Sequence, residues 1–210
     1  MGKLLRYLLV IFLLFGALNG PALAGGSSPI KGGKLPALHL PIPVDLDEKA
    51  YLGLSGEGFF EIPQIKAKGV LIKVFNLYCP ICQSTAATVV KLYRQIENNP
   101  DLKGKIKLIG IAVGNNHLEM EVFKQTYNIP FPMFSDEDFR INHLLGEVRT
   151  PLFIAVKMGE NGSQEIVHTH LGGVTDARAF LDLMVEAYGI KTEGYLTKEA
   201  ASQAHEPLPK

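Results

Sequence analysis

The chain has 210 residues, a length that suits one domain with a sizeable core and modest extensions. Lys plus Arg and Asp plus Glu both number 21, so the formal net charge is zero. No charge excess therefore points to nucleic acid or to an anionic membrane surface as a partner.

The N-terminus has the pattern of an export signal. The first six residues carry two positive charges, residues 7–18 form an almost unbroken apolar run, and Ala22 and Ala24 are the small side chains that a signal peptidase requires. The run is too short to cross about 30 Å of hydrocarbon as a stable helix. We therefore expect residues 1–24 to be a signal peptide cleaved after Ala24, with a retained anchor as the alternative, and the mature protein to be periplasmic or secreted.

The rest of the chain divides by composition. Residues 25–34 are rich in Gly and Ser and predict a flexible leader, residues 35–190 a folded domain, and residues 191–210 a loosely attached tail. Apolar runs predict extended segments over residues 35–43, 59–62, 70–77, 105–113, 131–134, 152–157 and 165–170. Helical patterns cover residues 63–66, 80–97, 118–127, 136–145 and 176–188.

The end of the domain has its own signals. Residues 159–162, Gly-Glu-Asn-Gly, predict a hairpin between the last two strands. Thr175 is the expected N-cap of the final helix and Gly189 its C-terminal stop. Strands that alternate with helices, followed by a hairpin and a helix, predict an α/β sandwich around a mixed β-sheet.

The chain has two cysteines, Cys79 and Cys82. In an exported protein a disulfide between them can persist. A bridge across a Cys-x-x-Cys spacing closes almost no loop, so it removes little entropy from the unfolded chain. The pair is therefore a poor structural crosslink and a good redox switch.

The position of the pair supports a redox role. It lies between the predicted buried strand at 70–77 and the predicted helix at 80–97, in whose first turn Pro80 is tolerated. Cys79 then lies at the helix N-terminus, which favours a thiolate, and Cys82 lies one turn deeper on the same face. We expect Cys79 to attack a disulfide in a partner protein and Cys82 to resolve the mixed disulfide.

Other uses of a cysteine pair fit less well. A structural zinc site usually includes a second cysteine pair, and the chain has no further cysteine. Covalent haem attachment requires His directly after the second cysteine, where this chain has Gln83. An inert pair stays open as an alternative.

With these motifs in place, the sequence resembles a known family. Residues 70–82 resemble the active-site segment of exported thioredoxin-like proteins of the TlpA/ResA type, in the AhpC/TSA–redoxin-related part of the thioredoxin superfamily. Residues 146–154 look like the second signature of that family, and residues 128–136 resemble the segment between the two motifs. The resemblance implies a thioredoxin-like fold over residues 35–190, with a central mixed β-sheet flanked by helices and an N-terminal extension.

The resemblance also implies roles for two residues of the second signature. Pro151 would be a cis-proline that faces the disulfide, and Thr150 would offer backbone hydrogen bonds to a substrate strand. It implies no cofactor beyond the two sulfurs and no metal.

Three positions depart from the family pattern. Tyr78 stands where Trp is common before the first cysteine, and Thr85 stands where ResA-like members often have an acid. Lys73 stands where thioredoxins carry a buried Asp. We expect two of these residues, Lys73 and Tyr78, to tune the redox potential. We expect the same of Pro80 and Ile81, which lie between the two cysteines.

Lys73 poses a physical problem of its own. If both faces of the strand at 70–77 are covered, Lys73 is an ammonium in an apolar layer, and it must be neutral, reach water or find an anion. One hypothesis is that Lys73 faces the sulfur of Cys82 and stabilises the reduced form. The alternative is that it reaches the sheet edge or pairs with a carboxylate such as Glu61.

The resemblance implies a protein thiol–disulfide oxidoreductase that acts as a reductant, serves apocytochrome thiols before haem attachment, and is kept reduced by a membrane thiol-relay protein. We expect a monomer whose partners are protein thiols and disulfides, and no nucleic acid. One rival is a thiol peroxidase, which needs a Thr-x-x-Cys setting that the residues before Cys79 do not provide. Another is a copper-delivery module that uses both thiolates and a His, because Cu(I) favours soft ligands.

Four further expectations concern ordinary structural roles. We expect His168 and His170 to face solvent rather than bind a metal. His117 belongs to a loop that enters a helix, and Asp136 caps the helix that follows it. The aromatic residues expected in the core are Phe59, Phe60 and Tyr188.

Overall fold

The computed structural model describes residues 28–159 and 161–192. The predicted signal peptide, the first three residues of the leader, Glu160 of the hairpin and residues 193–210 of the tail lie outside the described residues. In the part that is described, no helix is long and apolar enough to cross a membrane.

The elements follow the predicted alternation of strands and helices. The strands are β1 Leu40–Pro41, β2 Phe59–Phe60, β3 Gly69–Phe75, β4 Ile106–Val113, β5 Met133–Asp136, β6 Leu152–Met158 and β7 Gln164–Leu171. The helices are α1 Leu46–Leu52, α2 Pro80–Ser84, α3 Ala86–Glu97, α4 His117–Thr126, α5 Arg140–Leu144 and α6 Ala177–Tyr188. A 3₁₀ turn, Ile62–Gln64, overlaps the turn predicted at 63–66 but begins one residue earlier and ends two residues earlier.

Five strands form one mixed sheet in the order β5-β4-β3-β6-β7. β3, β4 and β5 are parallel, whereas β6 runs antiparallel to β3 and pairs with β7 in the predicted hairpin. β1 and β2 form a separate antiparallel pair. The mixed α/β architecture expected from the sequence is therefore confirmed.

β3 is the central strand of the five, and every one of its residues is buried. Leu71 and Phe75 face the core layer formed with α2, α3, α4 and α6. The alternate residues Val70, Ile72 and Val74 face the second layer, which contains α1, α5 and the β1–β2 pair. A period of two along a strand places Lys73 on the first of these faces, as predicted, beneath the helix that carries the cysteines.

The predicted continuous helix over residues 80–97 is wrong. It is interrupted at Thr85, whose backbone leaves the helical region with φ −101° and ψ 2°. The Thr85 hydroxyl donates to the carbonyl oxygen of Ile81 at 2.7 Å, which is the local competition that threonine offers a helical backbone. The interruption leaves α2 as a short, separate helix that contains Cys82.

The ends of two other helices also differ from expectation. α1 was not predicted, although Asp45 caps its first turn and Gly53 ends it at φ 68°. The N-cap of α6 is Asp176 rather than Thr175, because the Asp176 carboxylate accepts the N–H groups of Arg178 and Ala179. Gly189 ends α6 in the left-handed region, as predicted.

Part of the expected flexible leader is held in place. The Gly32 N–H donates to the Ile166 carbonyl at 2.8 Å, and the Ile166 N–H donates to the Gly33 carbonyl at 2.9 Å. These bonds lie along the outer edge of β7, so the leader covers an otherwise open sheet edge.

The expected structural roles are mostly confirmed. Asp136 is buried and its carboxylate accepts the N–H groups of Ile141 and Asn142 at the start of α5. Phe60 and Tyr188 are core residues, whereas Phe59 is 66% exposed because neighbouring strand residues point to opposite faces. His117 is the first residue of α4.

The solvent-facing assignment of the two β7 histidines is wrong. Both are half-buried, and the His170 ring packs edge-on against Phe180 and tilted against Phe153. Their strand partners, Phe153 and Ala155, belong to the core layer beneath α6, so the histidines point toward that layer.

Candidate active site

Two asparagines hold the turn between β3 and α2. The Asn76 side chain donates to the Val113 carbonyl at 2.7 Å and accepts the Tyr78 N–H at 2.8 Å. The buried Asn115 accepts the Leu77 N–H at 2.9 Å. Both residues lie just beyond the carboxyl ends of adjacent parallel strands, a placement from which sequence reasoning could have found them.

Cys79 occupies the N-cap of α2, with Pro80 at the first helical position. Its sulfur accepts the Cys82 N–H at 3.4 Å and donates to the Thr150 carbonyl at 3.5 Å. The side chain is half-buried, so one side of the sulfur remains accessible.

The hydrogen bonds around Cys79 favour its thiolate. Partial burial alone would raise the pKa of the Cys79 thiol, but hydrogen bonds from the Cys82 side chain and N–H outweigh that effect. Smaller contributions come from Thr150 and Ile81, and the net result is a lowered pKa. The thiolate is the nucleophilic form of cysteine, so Cys79 has the properties of an attacking thiol.

Cys82 is in the opposite situation. It is fully buried, and burial raises the pKa of its thiol to about 12. The Asn76 backbone and the charge of Lys73 act in the other direction without overcoming burial. Cys79 therefore has the properties of an attacking thiol, and Cys82 those of a thiol protected from solvent.

The second signature lies against the first. The Thr150–Pro151 peptide bond is cis, as the resemblance implied. The Pro151 carbonyl accepts the Gly172 N–H at 2.9 Å, and the Thr150 carbonyl faces the Cys79 sulfur. The segment from β6 and the start of α2 thus meet at one end of the sheet.

Apolar surface surrounds the exposed side of Cys79. Tyr78 is 65% exposed and Ile81 is 50% exposed. The Tyr78 hydroxyl donates to Glu119 at 2.6 Å, which ties the residue before Cys79 to the first turn of α4. This link was not predicted, because Glu119 is 41 residues away in the chain.

Gly173 lies directly against the back of α2. A Cβ at this position would lie 2.5 Å from Thr85 Cγ2 and 2.9 Å from Ile81 Cγ2. The close approach requires glycine and sets the position of the helix that carries Cys82.

Lys73 lies under this site and is 1% exposed. Its ammonium is 5.3 Å from the ring centroid of Phe75 and 5.8 Å from that of Phe123. Of the described carboxylates, none forms an ion pair with Lys73, and Glu61 lies near His39 instead. Burial lowers the pKa of Lys73 to about 8, while Cys82 and then Cys79 act to raise it.

The described part of the chain does not place a third candidate metal ligand beside the two cysteine sulfurs. Among residues 28–159 and 161–192, no group of three His, Cys, Asp or Glu side chains is arranged to hold a metal ion. The copper-delivery alternative therefore lacks the third ligand that it requires within this part of the chain.

Known proteins with similar sequences and structures agree with this geometry. The AhpC/TSA family model matches residues 37–168. The thiol–disulfide oxidoreductase ResA of Halalkalibacterium halodurans is 27% identical over 133 residues, which cover 62% of this chain and 70% of ResA.

Solved structures share the fold at lower identity. The thioredoxin domain of a thiol–disulfide oxidoreductase from Bacteroides vulgatus superposes with a TM-score of 0.55 at 17% identity, covering 78% of this chain and all of that domain (100%). StoA from Bacillus subtilis superposes with a TM-score of 0.51 at 16% identity, covering 70% of this chain and 96% of StoA. The chain belongs to the AhpC/TSA family and is a thioredoxin-fold thiol–disulfide oxidoreductase that is similar in sequence to ResA.

Proposed function

We propose that the protein exchanges disulfides with exported protein substrates through Cys79 and Cys82. The observation that carries the proposal is the contrast between the two sulfurs. Cys79 is accessible and has a lowered pKa, whereas Cys82 is fully buried and has a pKa of about 12.

The reaction has two exchange steps. The Cys79 thiolate attacks a substrate disulfide, forms a mixed disulfide, and releases one substrate thiolate, which takes up a proton. The Cys82 thiol then loses its proton, and its sulfur attacks that of Cys79. The substrate leaves as a dithiol, and a disulfide joins Cys79 to Cys82.

The second signature supplies the docking site for the substrate. Thr150 and the cis Pro151 flank the Cys79 sulfur, so an extended substrate segment can lie beside them with its backbone near Thr150. The exposed side chains of Tyr78 and Ile81 provide apolar contact on the other side of that segment. Pro80 and Ile81, between the cysteines, contribute to the redox potential.

We assign a periplasmic or secreted location, a monomeric state and a reducing direction. The export pattern at the N-terminus supports the location, and the resemblance of residues 70–82 and 146–154 to the motifs of TlpA/ResA-type proteins supports the reducing direction. In this proposal a membrane thiol-relay protein supplies electrons, and apocytochrome thiols awaiting haem are the substrates.

The reduction potential tests the direction. It is measured by equilibrating the protein with glutathione redox buffers and quantifying the free thiols of Cys79 and Cys82. A reduction potential of about −270 mV or below supports a reductant, whereas a potential of about −120 mV would show that the protein is an oxidant.

A further inference from the structure

Lys73 is the one buried charged group at the site for which thiol–disulfide exchange has so far required no role. A lysine is almost never fully buried without a partner, because desolvation of the ammonium is costly. The two aromatic rings near Lys73 return part of that cost through cation–π contact. Among the described residues, the Lys73 ammonium has no ion-pair or hydrogen-bond partner that would offset the remainder.

The surroundings of Lys73 identify which groups can respond to its charge. β4 and β6 place Gly110 and Phe153 beside it, and α4 contributes Phe123. The titratable side chains of the core layer it faces are the two cysteines, three tyrosines and two half-buried histidines of β7, namely Tyr93, Tyr127, Tyr188, His168 and His170. The tyrosines are neutral at physiological pH and a histidine is either neutral or positive, so the cysteine sulfurs are the anions that Lys73 can meet.

Most charged residues of the flanking helices are exposed or have other partners. On α3, Lys91 and Arg94 are exposed and Glu97 lies 4.0 Å from Lys107. Lys124 on α4 pairs with Glu48, and Arg178 on α6 pairs with Asp182. Glu119 on α4 accepts from Tyr78.

We propose that Lys73 is a positioning charge that stabilises the Cys82 thiolate while the mixed disulfide is resolved. This inference rests on the exchange reaction proposed above. When the Cys82 thiol gives its proton to solvent, the new anion lies in the same buried layer as the Lys73 ammonium. Low local dielectric strengthens their attraction. Once Cys82 attacks Cys79 the anion disappears, and Lys73 again faces only apolar groups.

A chromogenic aromatic disulfide tests the proposal, because it separates the two steps. Attack by Cys79 releases a first aryl thiolate at a rate proportional to reagent concentration. Attack by Cys82 on the mixed disulfide releases a second aryl thiolate at a rate independent of it. Both releases are followed by stopped-flow absorbance between pH 6 and pH 10 on the mature protein.

Lys73→Met keeps the side-chain length and removes the charge, and Lys73→Gln serves if the first variant does not fold. Replacing a buried charge by a well-packed apolar residue is often neutral or stabilising. Lys107→Met is the matched control. Lys107 is a buried lysine on the neighbouring strand, but it faces Tyr51 and Glu97 rather than the cysteines.

The second release should slow about tenfold or more in the Lys73 variants below pH 8, since a rise of one unit in the Cys82 pKa reduces the thiolate fraction tenfold. The first release should change less, and the Lys107 control should match wild type in both. An unchanged second release in the Lys73 variants, or equal slowing of both steps, overturns the proposal. If the wild-type protein itself shows no second release, the exchange function has failed rather than the role of Lys73.

Discussion

The Cys79 sulfur donates a hydrogen bond to the carbonyl oxygen of Thr150, 3.5 Å away, although 71 residues separate them in the chain. The contact joins the start of α2 to the cis Thr150–Pro151 segment before β6. It places the accessible thiol beside a stretch of backbone that can pair with a substrate. The two signatures therefore form one site, and each of the following predictions tests part of it.

The two thiols should titrate far apart. The lowered pKa of Cys79 means that its alkylation by iodoacetamide should reach half its maximal rate at a lower pH than that of an ordinary exposed cysteine. Cys82 should stay unmodified in the folded protein until far higher pH, because burial raises its pKa to about 12. Mass spectrometry of the alkylated peptides assigns each rate. Equal rates at both positions would contradict the assignment.

Lys73 should make stability depend on pH. Its pKa is about 8 when folded and near 10.5 when unfolded, so between these values the unfolded chain holds more protons. Stability should therefore rise with pH through this window by roughly 3 kcal/mol more in wild type than in Lys73→Met. Below pH 8 Lys73 is protonated in both the folded and the unfolded protein, so it adds no pH dependence to the stability there. Urea denaturation at pH 7.5 and pH 10.5 measures it, and identical slopes for the two proteins would contradict burial of Lys73.

Gly173→Ala should disturb the site as well as the fold. The added methyl group meets Thr85 and Ile81, so α2 must move, at a cost of roughly 1–3 kcal/mol. We expect slower reduction of a protein disulfide by this variant.

Gly69→Ala is the matched control for Gly173→Ala. Its Cβ would lie 2.5 Å from the Tyr188 ring, at the end of β3 remote from the cysteines. It should lower the melting temperature to a similar extent and leave the rate of protein-disulfide reduction unchanged. A reduction rate that falls equally in both variants would show that Gly173 does not control the position of α2.

The mature protein should begin at Gly25. The expectation rests on the charged and apolar segments followed by Ala22 and Ala24. N-terminal sequencing of protein recovered from an exporting host decides it. Intact Met1 on membrane-bound protein would show a retained anchor.

Local patterns were sufficient to predict the order of the strands and the face of β3 on which Lys73 lies. Alternation along β3 is a property of the backbone, so the face occupied by Lys73 follows once the strand is recognised. The role of the Cys-x-x-Cys pair followed from its spacing and position, whereas the cis form of Pro151 was implied only by the resemblance of residues 146–154 to the family's second signature.

Contacts between residues far apart in the chain could not be predicted from the sequence. Whether Tyr78 reaches Glu119 depends on how β3 and β4 align, and the fit of Gly173 against Thr85 depends on packing of β7 beside α2. The break at Thr85 is a competition between a side-chain hydroxyl and the helix for one carbonyl, which propensity alone does not resolve. The two asparagines of the β3–α2 turn differ from these features, because their places just beyond the carboxyl ends of adjacent parallel strands can be found from the sequence.

Trapping of substrates tests the central claim most directly. Cys82→Ser removes the resolving sulfur and leaves Cys79 to form mixed disulfides, which non-reducing gels of an exporting host would show as higher-mass species that reductant removes. The account predicts such species for Cys82→Ser and none for Cys79→Ser. Equal trapping by the two variants, or trapping by Cys79→Ser alone, would contradict the assignment of Cys79 as the attacking thiol.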